Sequence, residues 1–218
     1  MKQARISSDV EKTVEYYDKL ADGYSKILRP WRIELLEKYF TGRHKTVLEI
    51  GCGTGNYLAA INVDKKIGID ISKKSLQIAK KRKGLKTARL IHGFAEDLPI
   101  KSNSVDFVFS YSALYNMPDQ RKVINEIKRV LRSGGVAVLE FQNMYSPVSM
   151  HSKLLFDVPQ YFMSEREINK VLKEEGFDVI DIQHRQIIPG YLAPNDFRVE
   201  LPLLKNICLK LIYVVRKK

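Results

Sequence analysis

The sequence predicts an α/β fold, in which helices cover both faces of a doubly wound, mainly parallel sheet. From residue 45 to residue 141, short apolar runs alternate with amphipathic helical segments, and this alternation is typical of βαβ units. A glycine-rich turn, GCGTG, joins the first apolar run to the helical segment that follows it. Because the chain has 218 residues and 44% hydrophobic content, we expect one domain with a sizeable core.

The first 42 residues are predicted to be helical. Asp9 can cap a helix that runs through VEKTVEYYDKLADGYSKIL and that Pro30 helps to end, because a short acceptor side chain satisfies the first free amides of a helix. A second helix is predicted for residues 31–40.

Strands and helices then alternate along the central part of the chain. The segments, in order, are TVLEI, NYLAAI, KIGID, KKSLQIAKK, ARLIH, VDFVFSY, RKVINEIKRVL and VAVLEF. Ser164 and Glu167 have the spacing of a capping box for a helix that ends near Gly176. After that helix, FDVIDIQHR and NICLKLIYVV are predicted to be two further strands.

Composition excludes several classes of protein. No run approaches the roughly 20 apolar residues of a membrane-spanning helix, and the N-terminus lacks the apolar part of a signal peptide. Cys52 and Cys208 are too few for a disulfide framework, which favours the cytoplasm. No zinc or other metal site is expected, because neither cysteine has a metal-ligand spacing and the four histidines form no paired motif.

The net charge of +12 leaves an anionic partner such as RNA open but does not favour it. The densest lysine cluster, residues 80–86, falls on and just after a predicted surface helix, where lysines are usually solvated. Aromatic residues do not alternate with these lysines, as base stacking would require.

The segment VLEIGCGTG carries the strongest chemical signal. Gly51, Gly53 and Gly55 stand at alternate positions between a strand and a helix, where the lack of a side chain lets the backbone approach a ligand closely. The amides at the start of the next helix would favour an anion such as a carboxylate. Asp70 ends the following strand, and a carboxylate there can accept hydrogen bonds from ribose hydroxyls. The pattern therefore predicts a nucleoside ligand without a pyrophosphate.

At this point the sequence resembles a known family. VLEIGCGTG, GIDIS, GFAEDLPIKSNSVDFVFS and KRVLRSGGVAVLEF are similar in order and spacing to class I S-adenosylmethionine-dependent methyltransferases, especially the ubiquinone and menaquinone biosynthesis branch. The resemblance covers residues 16–141. It implies a Rossmann-like, seven-stranded sheet with an antiparallel last strand. It also implies the cofactor S-adenosylmethionine and the product S-adenosylhomocysteine.

The resemblance also divides the single domain, residues 1–218, into three parts. Residues 1–42 would form a helical lid, residues 43–141 the cofactor-binding core, and residues 142–218 the acceptor-side loops and last strands. The residues that the resemblance assigns to the cofactor are Tyr16, Tyr24, Glu49, Gly51, Gly53, Gly55, Asp70, Ile71, Ala95, Glu96 and Ser110. Glu49 would orient the glycine turn. Phe94 replaces an acidic residue that is frequent in the family.

The methyl acceptor is predicted to be a small apolar or aromatic molecule, because aromatic residues cluster in the two long connections, residues 142–163 and 186–205. The residues expected to contact it are Tyr111, Tyr115, Asn116, His151 and Tyr191. Tyr115 and Asn116 stand where many relatives have histidines, so a histidine base is not available there. No residue is assigned as catalytic, and His151 is the first to test as a base.

Two alternatives to this interpretation stay open, and a third is disfavoured. An RNA or protein methyltransferase fits the basic charge, although no appended RNA-binding domain or [DN]PPY-like motif is present. A cofactor-binding protein without catalysis would show the same motifs. A nicotinamide dehydrogenase is disfavoured, because Asn56 stands where the third glycine or alanine of its motif belongs. The protein is expected to be a monomer or a homodimer.

Overall fold

The computed structural model describes residues 2–23, 28–42, 45–151, 158–186 and 202–218. The helices in these ranges are α1 (Lys2–Leu20), α2 (Pro30–Tyr39), α3 (Asn56–Ala60), α4 (Lys73–Lys80), α5 (Gln120–Val130), α6 (Pro147–Met150), α7 (Glu165–Glu174) and α8 (Pro202–Lys205). The strands are β1 (Thr46–Ile50), β2 (Lys65–Asp70), β3 (Arg89–His92), β4 (Val105–Ser110), β5 (Leu131–Gln142), β6 (Phe177–Arg185) and β7 (Lys210–Lys217).

The strands form one sheet in the order β3-β2-β1-β4-β5-β7-β6. Strands β1 to β5 pair in parallel, whereas β7 pairs antiparallel with both β5 and β6. The carboxyl ends of β1, β2, β3, β4 and β5 therefore meet at one edge of the sheet. This topology confirms the predicted seven-stranded, mainly parallel sheet with an antiparallel last strand.

Each face of the sheet carries its own apolar core, because side chains alternate between the two faces of a strand. On one face, Leu48 and Val108 belong to a core with Ile124 of α5 and Leu172 of α7. On the other face, a second core contains buried side chains of β1, β4, α2 and α3. They are Val47 and Phe107 of the strands, Leu35 and Leu36 of α2, and Leu58 of α3. Helices therefore cover both faces, as predicted.

The predicted cap of the first helix is wrong. α1 begins at Lys2, so Asp9 lies inside the helix, and the helix ends at Leu20 instead of near Pro30. The backbone carbonyl of Asp9 accepts a hydrogen bond from Thr13 Oγ1 at 2.8 Å. Within the described ranges, no helix combines the length and hydropathy needed to cross a membrane.

The predicted capping box is confirmed. The Glu167 carboxylate accepts from the backbone N–H of Ser164 at 2.8 Å, and Ser164 Oγ accepts from the Glu167 amide at 3.3 Å. The reciprocal bonds satisfy two amides at the start of α7. The following strand, β6, has the predicted bounds.

Candidate functional site

The turn between β1 and α3 has the backbone conformation that its glycines suggest. Gly51, Gly53 and Gly55 have φ angles of +68°, +48° and +75°, in the region that favours glycine. A Cβ atom at Gly51 would lie 2.3 Å from Ala113 Cβ, and one at Gly55 would lie 2.3 Å from Leu85 Cδ1. A Cβ atom at Gly53 would have no described atom within 4 Å. Packing therefore requires the outer two glycines, whereas the middle one leaves open space beside the backbone.

Two buried carboxylates brace this turn. Glu49 Oε2 accepts a hydrogen bond from the amide of Leu58, in the first turn of α3, at 3.0 Å. Asp70 Oδ2 accepts from the Gly53 amide at 2.7 Å, and Asp70 Oδ1 accepts from the Ser72 amide at 2.9 Å. Burial raises the pKa of Asp70 above its usual range and raises the pKa of Glu49 further. Because the Leu58 amide already donates its hydrogen bond to Glu49, that amide is not free to bind an anionic ligand.

A cavity of about 300 Å³ adjoins the glycine turn at the carboxyl edge of the sheet. Nine of the residues predicted from the sequence line it: Glu49, Gly51, Gly53, Asp70, Ile71, Ala95, Glu96, Tyr111 and Asn116. Phe94, the departure from the family pattern, also lines the cavity and is 51% exposed. The structure thus brings together side chains from the ends of four parallel strands.

Five predicted residues are not among the described lining residues: Tyr16, Gly55, Ser110, Tyr115 and His151. Ser110 is buried, and its hydroxyl donates to the Ile50 carbonyl at 3.0 Å. His151 is exposed, with Nδ1 2.8 Å from the Pro147 carbonyl oxygen. Two more predicted residues, Tyr24 and Tyr191, lie outside the described residues.

Helix α1 forms one wall of the cavity, but the tyrosine that faces the cavity is one residue after the predicted one. Tyr17 lines the cavity, whereas the ring of the predicted Tyr16 packs edge-on against Tyr17, with centroids 5.3 Å apart. Asp9, Val10 and Thr13 also line the cavity. Their spacing with Tyr17 is that of one helical face, so this periodicity could have indicated Tyr17.

Among the residues that the structure describes, three side-chain hydrogen bonds join α1 to other parts of the chain and hold it over the cavity. They join Tyr161 Oη to Asp9 Oδ2 at 2.8 Å, Asn116 Nδ2 to Tyr17 Oη at 2.9 Å, and Ser72 Oγ to Asp18 Oδ1 at 2.5 Å. The partners of α1 follow β2 and β4 or belong to residues 158–163, so the helix is tied to three separate segments.

A buried ion pair forms the wall below α1, and sequence reasoning did not find it. Arg32 of α2 is 6% exposed, and its Nε and Nη2 atoms donate to Glu140 of β5 at 2.6–3.0 Å. Nη2 also donates to Ser112 Oγ at 2.7 Å, and Nη1 donates to Tyr57 Oη at 3.1 Å. The Tyr111 hydroxyl donates to the backbone carbonyl of Arg32 at 3.1 Å. Arg32, Tyr57, Tyr111 and Ser112 all line the cavity.

The ion pair keeps both of its partners charged. Burial alone would lower the pKa of Arg32, but Glu140 and Tyr57 raise the pKa above its usual value. Burial alone would raise the pKa of Glu140, but Arg32, Lys210 and Ser112 hold that pKa below its usual range. The cavity therefore has a fixed guanidinium in its wall.

The cavity fits a nucleoside that carries an amino-acid tail. Buried polar atoms without a partner in the described structure are costly, and two of them belong to lining residues, Thr54 Oγ1 and Asn116 Oδ1. The open space at Gly53 and the carboxylate of Asp70 add room and an acceptor for ligand hydroxyls. In the described ranges, no group of three or more His, Cys, Asp or Glu residues could hold a metal ion.

Comparisons with known proteins indicate the family to which the chain belongs. A family model described as a methyltransferase domain matches residues 48–139. An uncharacterized protein of Methanocaldococcus jannaschii is 37% identical over an alignment of 175 residues that covers 77% of this chain and 80% of the relative. A demethylmenaquinone methyltransferase of Staphylococcus aureus is 32% identical over an alignment of 193 residues that covers 75% of this chain and 79% of that protein.

The fold is similar to that of a solved S-adenosylmethionine-dependent methyltransferase from Thermotoga maritima, described as a possible histamine N-methyltransferase. The TM-score is 0.70 at 18% sequence identity, and the match covers 97% of this chain and 99% of the other.

Proposed function

Since the chain belongs to the class I S-adenosylmethionine-dependent methyltransferases, in the branch that resembles the quinone-biosynthesis enzymes, we propose that it methylates a small apolar or aromatic molecule. S-adenosylmethionine is the methyl donor. It supplies a methyl group on a sulfonium, from which a neutral thioether leaves. The acceptor class rests on the walls of the cavity and on the demethylmenaquinone methyltransferases among the relatives.

The residues around the glycine turn would bind the cofactor. Asp70 would accept from the ribose hydroxyls, because each of its oxygens makes one backbone bond and keeps another lone pair. Gly53 would leave room for the methionine part. Ile71, Phe94 and Ala95 line the cavity beside Asp70 and would pack against the adenine. Glu49 would act indirectly, by holding the start of α3.

The aromatic character of the remaining wall is the observation that carries the acceptor class. Four tyrosines, from α1, α3, the end of β4 and the 158–163 segment, line the cavity: Tyr17, Tyr57, Tyr111 and Tyr161. Met117 and Pro118 extend the same wall. A concave pocket with apolar bodies and a few fixed polar groups is the usual form of a small-molecule site.

The protein would contribute mainly position and water exclusion. Methyl transfer needs the nucleophile held roughly 3 Å from the methyl carbon along the line of the breaking bond. The ring walls would orient the acceptor, and α1 would keep water out. No described histidine lines the cavity, so an acceptor that ionises readily suits this site better than one that needs a strong base.

A radiolabelled methyl-transfer assay tests the proposal. The purified chain would be incubated with S-adenosylmethionine labelled in the methyl group and, in separate reactions, with simple phenols, quinols and total RNA. Asp70→Ala is the inactive control. We expect label in a phenol or quinol and none in RNA.

Labelling of RNA alone would contradict the proposal and favour the alternative nucleic-acid methyltransferase. The run of exposed lysines around residues 80–86 would then be the binding surface, and labelling would fall steeply with salt. Tight cofactor binding without transfer to any acceptor would favour a non-catalytic role.

A further inference from the structure

The hydroxyl of Tyr57 has an unused hydrogen. Its oxygen accepts two hydrogen bonds, from the Arg29 amide at 3.2 Å and from Arg32 Nη1 at 3.1 Å. A phenol carries a single proton, and with both lone-pair directions occupied, that proton must point to another acceptor. Among the residues that the structure describes, no acceptor takes it, and Tyr57 lines the cavity.

Arg32 has a second unused donor at the same place. A guanidinium has five N–H groups. The N–H groups of Nε and Nη2 are taken by Glu140 and Ser112, and one N–H of Nη1 is taken by Tyr57. The other N–H of Nη1 has no acceptor within the described ranges. This donor and the Tyr57 hydroxyl are therefore neighbours that both lack an acceptor.

Arg32 is held rigidly in this position. Its Cζ atom lies 5.3, 5.5 and 4.9 Å from the ring centroids of Trp31, Tyr57 and Tyr111. Glu140 bonds the opposite edge of the guanidinium. A donor pair that is fixed before binding loses little entropy when a ligand arrives.

We infer that Tyr57 and Arg32 form a two-donor subsite for an anionic oxygen of a ligand, a carboxylate or a phenolate. Hydrogen bonds from a cation to an anionic oxygen are about twice as strong as neutral ones. Arg32 stays charged, so the subsite prefers an ionised ligand over a neutral one. The inference rests on the proposed small-molecule function.

The position of the subsite allows two sources for the anionic oxygen. Arg32 is bonded to Glu140 of β5, whereas Asp70 ends β2, and three strand spacings, roughly 14 Å, separate these strands. The subsite therefore lies away from the ribose side. The oxygen belongs either to the carboxylate of the cofactor or to an acceptor that binds as its anion.

Two variants test the subsite. Tyr57→Phe removes the hydroxyl and keeps the ring. The double variant Arg32→Gln/Glu140→Gln replaces the ion pair by a neutral pair of similar size, so that no buried charge is left without a partner. Tyr39→Phe is the matched control, because it removes a tyrosine hydroxyl that bonds Asp181 outside the cavity.

The first arm of the experiment measures S-adenosylhomocysteine and 5′-methylthioadenosine binding by calorimetry. The second nucleoside lacks the amino-acid tail and its carboxylate. If the cofactor is the source, both test variants bind S-adenosylhomocysteine about tenfold more weakly or worse, while 5′-methylthioadenosine binding is unchanged. Unchanged 5′-methylthioadenosine binding also shows that each variant is folded.

The second arm titrates the protein, saturated with S-adenosylhomocysteine, with benzoate and with its neutral analogue benzamide. Trp31, the single tryptophan of the chain, reports binding by fluorescence because it packs on Arg32. If the acceptor is the source, the wild type prefers benzoate about tenfold or more, and both test variants lose this preference while the control keeps it.

The inference is overturned if both test variants keep the wild-type ratio of S-adenosylhomocysteine to 5′-methylthioadenosine affinity and the wild-type preference between benzoate and benzamide. Neither arm needs turnover. Failure of the subsite is therefore distinct from failure of the proposed function, which would appear as absent methylation by the wild-type chain.

Discussion

Replacing Gly53 by alanine should separate cofactor binding from folding. The new methyl group meets no described atom within 4 Å, so the cost to the fold is the backbone strain of alanine at φ +48°. That strain is roughly 1–2 kcal/mol, and the stiffer unfolded chain offsets about 0.4–1 kcal/mol of it. A net loss of about 1 kcal/mol corresponds to a fall in Tm of about 2–4 °C for a chain of this size.

The effect on the cofactor should be larger, because the methyl group would occupy the space beside the glycine backbone where we place the methionine part. Overpacking of this kind costs about 1–3 kcal/mol, which is a loss of affinity of roughly fivefold to 150-fold. Calorimetric titration with S-adenosylhomocysteine measures the affinity, and thermal unfolding without ligand measures the stability.

Gly134→Ala is the matched control for strain. Gly134 has φ +76° and, like Gly53, no described atom within 4 Å of an added Cβ, but it lies at the start of β5 and is not among the described lining residues. We expect a similar fall in Tm and unchanged affinity. If Gly53→Ala binds S-adenosylhomocysteine as tightly as Gly134→Ala does, the placement of the cofactor at Gly53 is refuted.

Three further predictions concern the carboxylates. Asp70 must be ionised to accept from ribose, and burial raises its pKa, so affinity for S-adenosylhomocysteine is full above that raised pKa and falls as the pH drops through it. Asp70→Asn should bind weakly at neutral pH and lack this fall in calorimetry. Glu49→Ala removes the acceptor of the Leu58 amide and should cost about 1–3 kcal/mol in urea unfolding, whereas Glu49→Gln, which keeps an oxygen, should cost less. Glu140→Gln leaves the charge of Arg32 buried without a partner and should cost about 3–5 kcal/mol, and adding Arg32→Gln should recover most of the loss of unfolding free energy.

The sheet could be predicted because its signals are local. The apolar runs, the glycine turn and the reciprocal bonds of Ser164 and Glu167 each span only a few residues, so composition and spacing are sufficient to predict them. The start of α1 was placed wrongly at Asp9, because a residue with a good capping side chain also occurs inside helices when that side chain has a tertiary partner. Here the partner is Tyr161, which is 152 residues away.

The candidate site could be predicted only where its residues belong to motifs that are close together in the sequence. Gly51 and Gly53 belong to the turn after β1 and Asp70 ends β2, and these two strands are consecutive along the sequence and adjacent in the sheet. Arg32 and Glu140 are 108 residues apart, and no spacing rule relates two residues that meet only after the sheet and α2 have packed.

The hydrogen bonds that hold α1 have a consequence for the rate of turnover. One helix is bonded to Ser72, on the side where we propose that the ribose binds, and to Asn116 and Tyr161, on the side where we propose that the acceptor binds. A displacement of α1 that frees one product therefore weakens the enclosure of the other. We therefore expect the residence times of S-adenosylhomocysteine and the methylated product to shorten together when any of these bonds is removed, because the same helix covers both ligands.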